Sequence, residues 1–222
     1  MVSSFKRLEL ARCRPTGRST GRICLRCRSG KSAGELGRLE PMSRLILLLS
    51  LALASVSVHA EVEKSFTQCP SGLCLHWWPK LPGIKGWHQE LGQSQYFGFN
   101  ALAPDGSTFK DSESVIYAKA SYKPRDPDTK SLEAFIESDK ADFASSDSSI
   151  VITALAPLQT ADGKKLSSFT YFPTSGGNWE CVSYGEEGEF YLTFVLSARS
   201  KAAYEKAFPS FKAMINAYKE RL

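Results

Sequence analysis

The sequence predicts an α+β domain in which a mostly antiparallel sheet of about six strands is covered by helices. Three observations lead to this class. Short β-branched and aromatic runs alternate with turn residues, two longer segments carry apolar residues at helical spacing, and residues 190–196, FYLTFVL, are apolar on both faces. A strand with two apolar faces lies inside its sheet and needs cover from both sides.

The predicted strands follow one another between turn signals. They cover residues 96–103, 114–122, 150–155, 165–172, 179–184 and 190–197. Proline follows four of these runs, and it is disfavoured inside a sheet because it donates no ladder hydrogen bond. Hairpins are expected at Asp162-Gly163 and at residues 186–189, where glycine favours tight turns.

Two helices are available to cover the sheet. The first is predicted for residues 131–143, with Asp128 or Thr129 as its N-cap. Its inward stripe consists of Leu132, Phe135, Ile136 and Phe143. The second helix begins after Ser200, and Pro209 is expected to kink or split it. The proline ring removes a backbone donor and crowds the preceding turn.

Residues 76–87, HWWPKLPGIKGW, combine three tryptophans with two prolines and two glycines. This composition predicts extended or turning backbone that leads into the first strand. Trp77, Trp78 and Trp87 could form an exposed binding platform for a glycan, a peptide or a partner protein, since aromatic residues dominate binding hot spots. The alternative is that the indoles pack at one end of the sheet, and the neighbouring prolines favour it.

Residues 42–60, MSRLILLLSLALASVSVHA, have the pattern of a secretory signal peptide. Arg44 precedes an apolar stretch, and Val58-His59-Ala60 offers small residues for cleavage. The 14 residues of 45–58 would span roughly 21 Å as a helix, too short for a hydrocarbon core of about 30 Å. We therefore expect cleavage and no stable membrane insertion.

This pattern divides the chain into four segments. Residues 1–41 form a leader that is either an over-extended start or disordered, and residues 42–60 form the signal peptide. Residues 61–75 have little periodicity and are predicted to be an N-terminal arm. Residues 76–222 form a single globular domain, because no repeat or second composition regime follows.

The charge of the predicted mature region differs from that of the whole chain. The chain carries a net charge of +5, but the first 60 residues hold 11 Lys+Arg and 3 Asp+Glu. The remainder therefore has 17 Lys+Arg against 20 Asp+Glu, a net charge of −3. Without a basic cluster, this region lacks the electrostatic footprint of a nucleic-acid binder.

Three cysteines remain after the predicted cleavage: Cys69, Cys74 and Cys181. In an oxidising compartment, Cys69 and Cys74 are the first choice for a disulfide, because the four residues between them favour a tight loop. Cys181 is then a buried free thiol. The alternative joins Cys69 or Cys74 to Cys181 and attaches the arm to the sheet.

Several segments resemble the PsbP/DcrB-like fold group. They are PGIKGW at 82–87, FNALAP at 99–104, FVLSA at 194–198 and AFPSF at 207–211, together with a helix in mid-chain. The resemblance covers nearly all of residues 76–222. It implies an antiparallel sheet between helical layers and an accessory or binding role without catalysis. It carries over no functional residue.

The candidate catalytic residues of the predicted mature region are His76, His88 and Cys181. No G-x-S-x-G elbow surrounds any serine, so a hydrolase triad has no nucleophile in a recognisable setting. Cys181 lies in a predicted strand on the face of Trp179, where cysteine is usually a small core residue. We therefore predict no catalytic residue, no metal site and no cofactor.

The sequence thus predicts a non-enzymatic, extracytoplasmic accessory or binding domain of the bacterial cell envelope. It would be periplasmic or secreted, with an envelope protein or a small ligand as its partner. The alternative is an envelope hydrolase or redox enzyme that uses His76 or His88, or Cys181. That alternative requires a histidine beside a carboxylate and a nucleophile within hydrogen-bond reach.

Overall fold

The computed structural model describes residues 62–69 and 72–219, without the side chains at 67–69. The predicted leader and signal peptide lie outside the described residues. The described strands are β1 (Val62–Cys69), β2 (Gly72–Pro79), β3 (Trp87–Gln89), β4 (Asn100–Pro104), β5 (Ser114–Tyr122), β6 (Ile150–Ala154), β7 (Leu158–Gln159), β8 (Lys165–Pro173), β9 (Trp179–Glu187) and β10 (Phe190–Ala198). The described helices are α1 (Leu91–Phe97), α2 (Leu132–Ser146) and α3 (Lys201–Ala217), with a 3-10 turn at Lys123–Arg125.

The described strands form one sheet, and the predicted α+β class is confirmed. The main path of the sheet is β1-β2-β5-β10-β9-β8-β6, with β4 also beside β5, β3 beside β4 and β7 beside β8. All of these pairings are antiparallel. The six predicted strands correspond to β4, β5, β6, β8, β9 and β10. The additional strands are the β1-β2 hairpin and the short β3 and β7.

Strand β10 lies inside the sheet, as its two apolar faces predict. It pairs along its whole length with β5 on one side and β9 on the other. Phe194 and Leu196 are buried on one face, and Thr193 and Val195 are buried on the other. Burial of both faces requires cover above and below the sheet, and the two longer helices provide it.

Helices α3 and α2 cover opposite faces of the sheet. Phe211, Met214 and Ile215 of α3 are buried in the same cluster as Phe194 of β10. Ile136 of α2 is buried in the second cluster, with Val195 of β10 and residues of β5, β8 and β9. The sheet therefore lies between two helical layers, each with its own core.

Helix α2 begins at a different N-cap from the predicted one. Ser131 is the N-cap, and its hydroxyl accepts a hydrogen bond from the Ala134 N–H at 3.2 Å. Thr129 instead donates to Asp126 at 2.7 Å in the preceding turn. Serine caps a helix at least as well as aspartate or threonine, so local turn geometry decides between them. The predicted inward stripe of α2 is confirmed.

Helix α3 is continuous through Pro209. Of the two predicted effects of this proline, a kink or a split, the split is therefore wrong. A proline inside a helix costs roughly 3 kcal/mol. Apolar residues on both sides of the proline are buried against the sheet: Tyr204 and Ala207 before it, Phe211 and Met214 after it. Their burial keeps both halves helical and offsets that cost.

The N-terminal arm predicted for residues 61–75 is wrong, because this segment forms most of a hairpin. Strands β1 and β2 pair from Val62 opposite Pro79 to Cys69 opposite Gly72. Strand β1 has too few alternating apolar residues for its sequence to predict a strand. Its extended conformation is instead fixed by its pairing with β2. The strand predicted from Tyr96 also begins too early. Helix α1 continues to Phe97, and Gly98 ends it with φ 72°.

Candidate binding surface

Exposed apolar side chains are concentrated at the N-terminal edge of the sheet. Five large hydrophobic side chains in the described part of the chain are strongly exposed, and four belong to β1, β2 and α1. They are Phe66 (59%), Leu73 (69%), Leu91 (59%) and Tyr96 (73%). Single exposed apolar residues are normal, whereas a group of them marks an interaction surface. We call these four residues and strand β1 the N-terminal edge.

The hairpin presents Phe66 and Leu73 on one face. Phe66 is opposite Leu75, and Leu73 is opposite Gln68, so Phe66, Leu73 and Leu75 share the face that carries Trp77. Only Trp77 of β2 pairs with β5, opposite Ala120. Because β5 ends at Tyr122, the hairpin extends past the end of that strand. Its outer apolar side chains therefore lie beyond the part of the core that could bury them.

Helix α1 carries the other two exposed residues, Leu91 and Tyr96. The helix packs against β1, and the Ser94 hydroxyl fixes its position in two ways. It donates to the Glu90 carbonyl at 2.8 Å and accepts from the Ala101 N–H of β4 at 2.9 Å. Among the described strands β1 pairs with β2 alone, so it is an edge strand of the described sheet, with α1 packed beside it.

Gly98 permits the close approach of α1 to the hairpin. Its φ of +72° is in the left-handed region, and a Cβ there would overlap the His76 ring of β2. We expect Gly98→Ala to lower the free energy of unfolding by about 1–2 kcal/mol, because both the strain and the overlap must be relieved. Urea unfolding measures this loss. Gly92→Ala, in open space on α1, is the control, and an equal effect of both variants would contradict the assignment.

The tryptophans do not form an exposed platform. Trp77 and Trp78 are buried, and Trp87 is partly buried against the core under α3. The Trp77 ring lies 5.0 Å from the Tyr122 ring, and the Arg125 guanidinium lies over it at 4.3 Å. The alternative prediction, in which the indoles are packed and not exposed, is therefore the one that holds for Trp77 and Trp78. An indole ring has a large apolar area, so burying it against the neighbouring core is more favourable than leaving it in water.

The two histidines lie in different surroundings. His76 is partly buried, and burial together with the Arg125 charge lowers its pKa. His88 is partly exposed, with Nε2 3.4 Å from Glu90 and Nδ1 3.5 Å from Asp105. A carboxylate is therefore in place beside His88. The hydroxyl of nearby Ser107 donates to the Pro104 carbonyl at 2.8 Å, so it is not directed at this histidine as a nucleophile would be.

Cys181 is a buried free cysteine. Burial raises its pKa to about 12, and hydrogen bonds with Tyr204 and Ser183 oppose this only in part. Thiolates are the reactive form, so this protonated thiol is a core residue, as predicted. The alternative disulfide from Cys69 or Cys74 to Cys181 is wrong.

Cys69 and Cys74 lie on one face of the hairpin. Cys74 is opposite Thr67, two residues before Cys69 on the same strand, and residues two apart on a strand share a face. The Cys69 side chain lies outside the described residues, so the disulfide itself stays a prediction.

Residues 62–69 and 72–219 contain neither a metal-binding cluster nor a membrane-spanning helix. In those ranges no group of three or more His, Cys, Asp or Glu side chains could hold a metal ion. The helices in these ranges lack the length and apolar character that a membrane crossing requires.

The comparisons with known proteins add no relative. No protein-family model matches the chain, and no curated protein is significantly similar to it. The fold and surface define a class of protein: an α+β domain with one antiparallel sheet between helices and exposed apolar residues at its N-terminal edge.

Proposed function

We propose that this protein is an extracytoplasmic binding or accessory domain of the cell envelope that engages a partner protein through its N-terminal edge. The observation that carries the proposal is the exposure of Phe66, Leu73, Leu91 and Tyr96 around strand β1. Apolar area removed from water contributes roughly 25 cal/mol per Å² to association. Exposed apolar side chains near an edge strand suit a partner protein better than a small ligand, which is usually held in a concave pocket.

Export supports this role and is itself part of the proposal. The signal-peptide pattern at residues 42–60 places cleavage at Ala60, one residue before Glu61. Strand β1 begins at Val62, so the binding edge would lie next to the new N-terminus. The mature region would be periplasmic or secreted and would act without catalysis of its own.

We further propose that the fold belongs to the PsbP/DcrB-like group. The antiparallel sheet between helical layers supports this assignment, as do the positions of the resembling segments. FNALAP covers the whole of β4, FVLSA ends β10, and AFPSF lies in α3. Accessory and binding roles without catalysis are what this resemblance implies.

Oxidation of the exported chain would close the hairpin with a disulfide between Cys69 and Cys74. We expect thiol labelling of the denatured, unreduced mature protein to modify Cys181 alone. Reduction before labelling should expose all three cysteines of this region. Three labelled cysteines without reduction would contradict the disulfide, and mass spectrometry of the labelled peptides distinguishes the outcomes.

Site-specific photo-crosslinking tests the proposed function. A photoreactive amino acid placed at Leu73 or Tyr96 in the exported protein should give a discrete crosslinked product with an envelope protein. The control is the same amino acid at Glu205, an exposed position of α3, where we expect no such product. Absence of a product from both edge positions, or equal yield at Glu205, would contradict binding at the N-terminal edge.

A further inference from the structure

The opposite edge of the sheet has a different chemistry from the N-terminal edge. Strand β6, with the sequence IVITA, contains no charged residue and no proline, and among the described strands it pairs with β8 alone. Val151 is 52% exposed, and Thr153 and Ala154 are also exposed. Edge strands are normally protected against pairing by charges, prolines or bulges. Strand β6 has no charge or proline, whereas β1 carries Glu63 and Lys64.

The hydrogen bonds of β6 show which of its backbone groups face outward. Leu155 N–H donates to the Ser168 carbonyl at 2.8 Å, and Thr174 N–H donates to the Ser149 carbonyl at 3.1 Å. Antiparallel ladders alternate, so Val151 and Thr153 also direct their backbone groups toward β8. The intervening Ile150, Ile152 and Ala154 therefore direct theirs away from the sheet. Of these outward groups, the Ile150 N–H is directed to the Asp147 carbonyl at 3.3 Å.

We propose that β6 pairs with β6 of a second copy of this chain, which joins the two sheets around a two-fold axis at Ile152. In this register the Ile152 N–H donates to the Ile152 carbonyl of the second copy. The Ala154 N–H donates to the Ile150 carbonyl, and each bond occurs twice by symmetry. This is the register that overlaps the whole strand, and it leaves the Ile150 N–H on Asp147.

The side chains of β6 favour a second copy as the occupant. On one face Val151 lies opposite Thr153 of the second copy, and on the other face Ile152 lies opposite itself. Because β6 is uncharged, self-pairing opposes no like charges, and β-branched pairs pack well across strands. Strand β1 is less suited to self-pairing, because a two-fold axis at Glu63 or Lys64 would oppose identical charges.

Sedimentation velocity of the purified exported protein over a concentration series tests the dimer. The wild type should associate reversibly. Val151→Lys with Thr153→Lys opposes lysines in both cross-strand pairs, and we expect it to raise the dissociation constant about tenfold or more. Val151→Lys with Thr153→Glu opposes lysine to glutamate in the same pairs and should restore association. Both wild-type side chains are exposed, so circular dichroism should show an unchanged fold.

Hydrogen exchange of the wild type provides a second measurement that needs no variant. The amides of Ile152 and Ala154 should gain protection as concentration rises. Those of Val151 and Thr153, already bonded to β8, should not change. A monomer at all concentrations, equal dissociation constants for the two double variants, or unchanged exchange at Ile152 in a dimer would each overturn the proposal.

Discussion

Replacement of Phe211 by alanine is expected to lower the free energy of unfolding by about 3–5 kcal/mol. The Phe211 side chain is fully buried in α3, in the cluster that contains Phe194 and Leu196 of β10. Its truncation removes apolar area from the core and leaves a cavity that a close-packed interior fills only in part. Because α3 covers a whole face of the sheet, the loss should appear in the global unfolding transition.

Urea unfolding followed by circular dichroism measures this effect, and Phe208→Ala is the matched control. Phe208 lies on the same helix but is only partly buried, and its ring stacks on Tyr204 at 5.4 Å. We expect the control to lose about 1–2 kcal/mol, since less area leaves water on folding. Equal losses for the two variants would show that α3 does not pack on the sheet as described.

Replacement of Tyr184 by phenylalanine is expected to cost about 2–3 kcal/mol, through lost hydrogen bonds alone. The buried Tyr184 hydroxyl donates to Asp139 Oδ2 at 2.5 Å and lies 2.8 Å from the Tyr171 hydroxyl. It thereby links α2 to strands β8 and β9. The phenyl ring stays in place, but the Asp139 carboxylate and the Tyr171 hydroxyl both lose the Tyr184 hydroxyl as a hydrogen-bond partner. Such a loss is costly in a low-dielectric setting.

Tyr122→Phe is the control for this variant. The Tyr122 hydroxyl is exposed, and its distance of 3.4 Å to Glu189 is long, so its removal should change stability by less than about 0.5 kcal/mol. Thermal or urea unfolding of both variants gives the comparison. A loss at Tyr184 no larger than that at Tyr122 would contradict a structural role for the Tyr171-Tyr184-Asp139 chain.

Sequence patterns could predict those strands whose own side chains indicate which faces are buried and where the strand ends. β10 reveals its central place because both of its faces are apolar, and β5, β8 and β9 are bounded by turns. The β1-β2 hairpin carries no comparable pattern of apolar residues. Its structure comes from backbone pairing between two strands that are adjacent in the chain. Helix α3 shows the same limit, because tertiary burial on both sides of Pro209 overrides a local helix breaker.

The candidate binding surface was harder to predict than the fold. The aromatic content of residues 76–87 predicts a binding surface that includes Trp77 and Trp78, yet both indoles are buried. Phe66 and Leu73 resemble ordinary core residues in the sequence. Their exposure depends on how far the hairpin extends past β5, which is a matter of register between distant segments. Tyr96 likewise falls within the strand predicted for residues 96–103. The structure places it in α1, which replaces the beginning of that strand, and there it is exposed.

The two edges of the sheet are expected to serve different contacts. The N-terminal edge combines apolar side chains with the charged residues Glu63 and Lys64, and Glu63 pairs with Lys80 at 3.4 Å. Charges at an edge oppose indiscriminate pairing and favour a specific partner. The uncharged β6 suits self-association. A protein dimerised through β6 would leave both copies of the N-terminal edge available to partners.

The N-terminal residue of the protein recovered outside the cytoplasm tests the proposed exported binding domain most directly. Intact-mass measurement with N-terminal sequencing should find a chain that begins at about Glu61, next to strand β1. A full-length product that begins at Met1 and is recovered from the cytoplasm would contradict export, and with it the proposed role in the cell envelope.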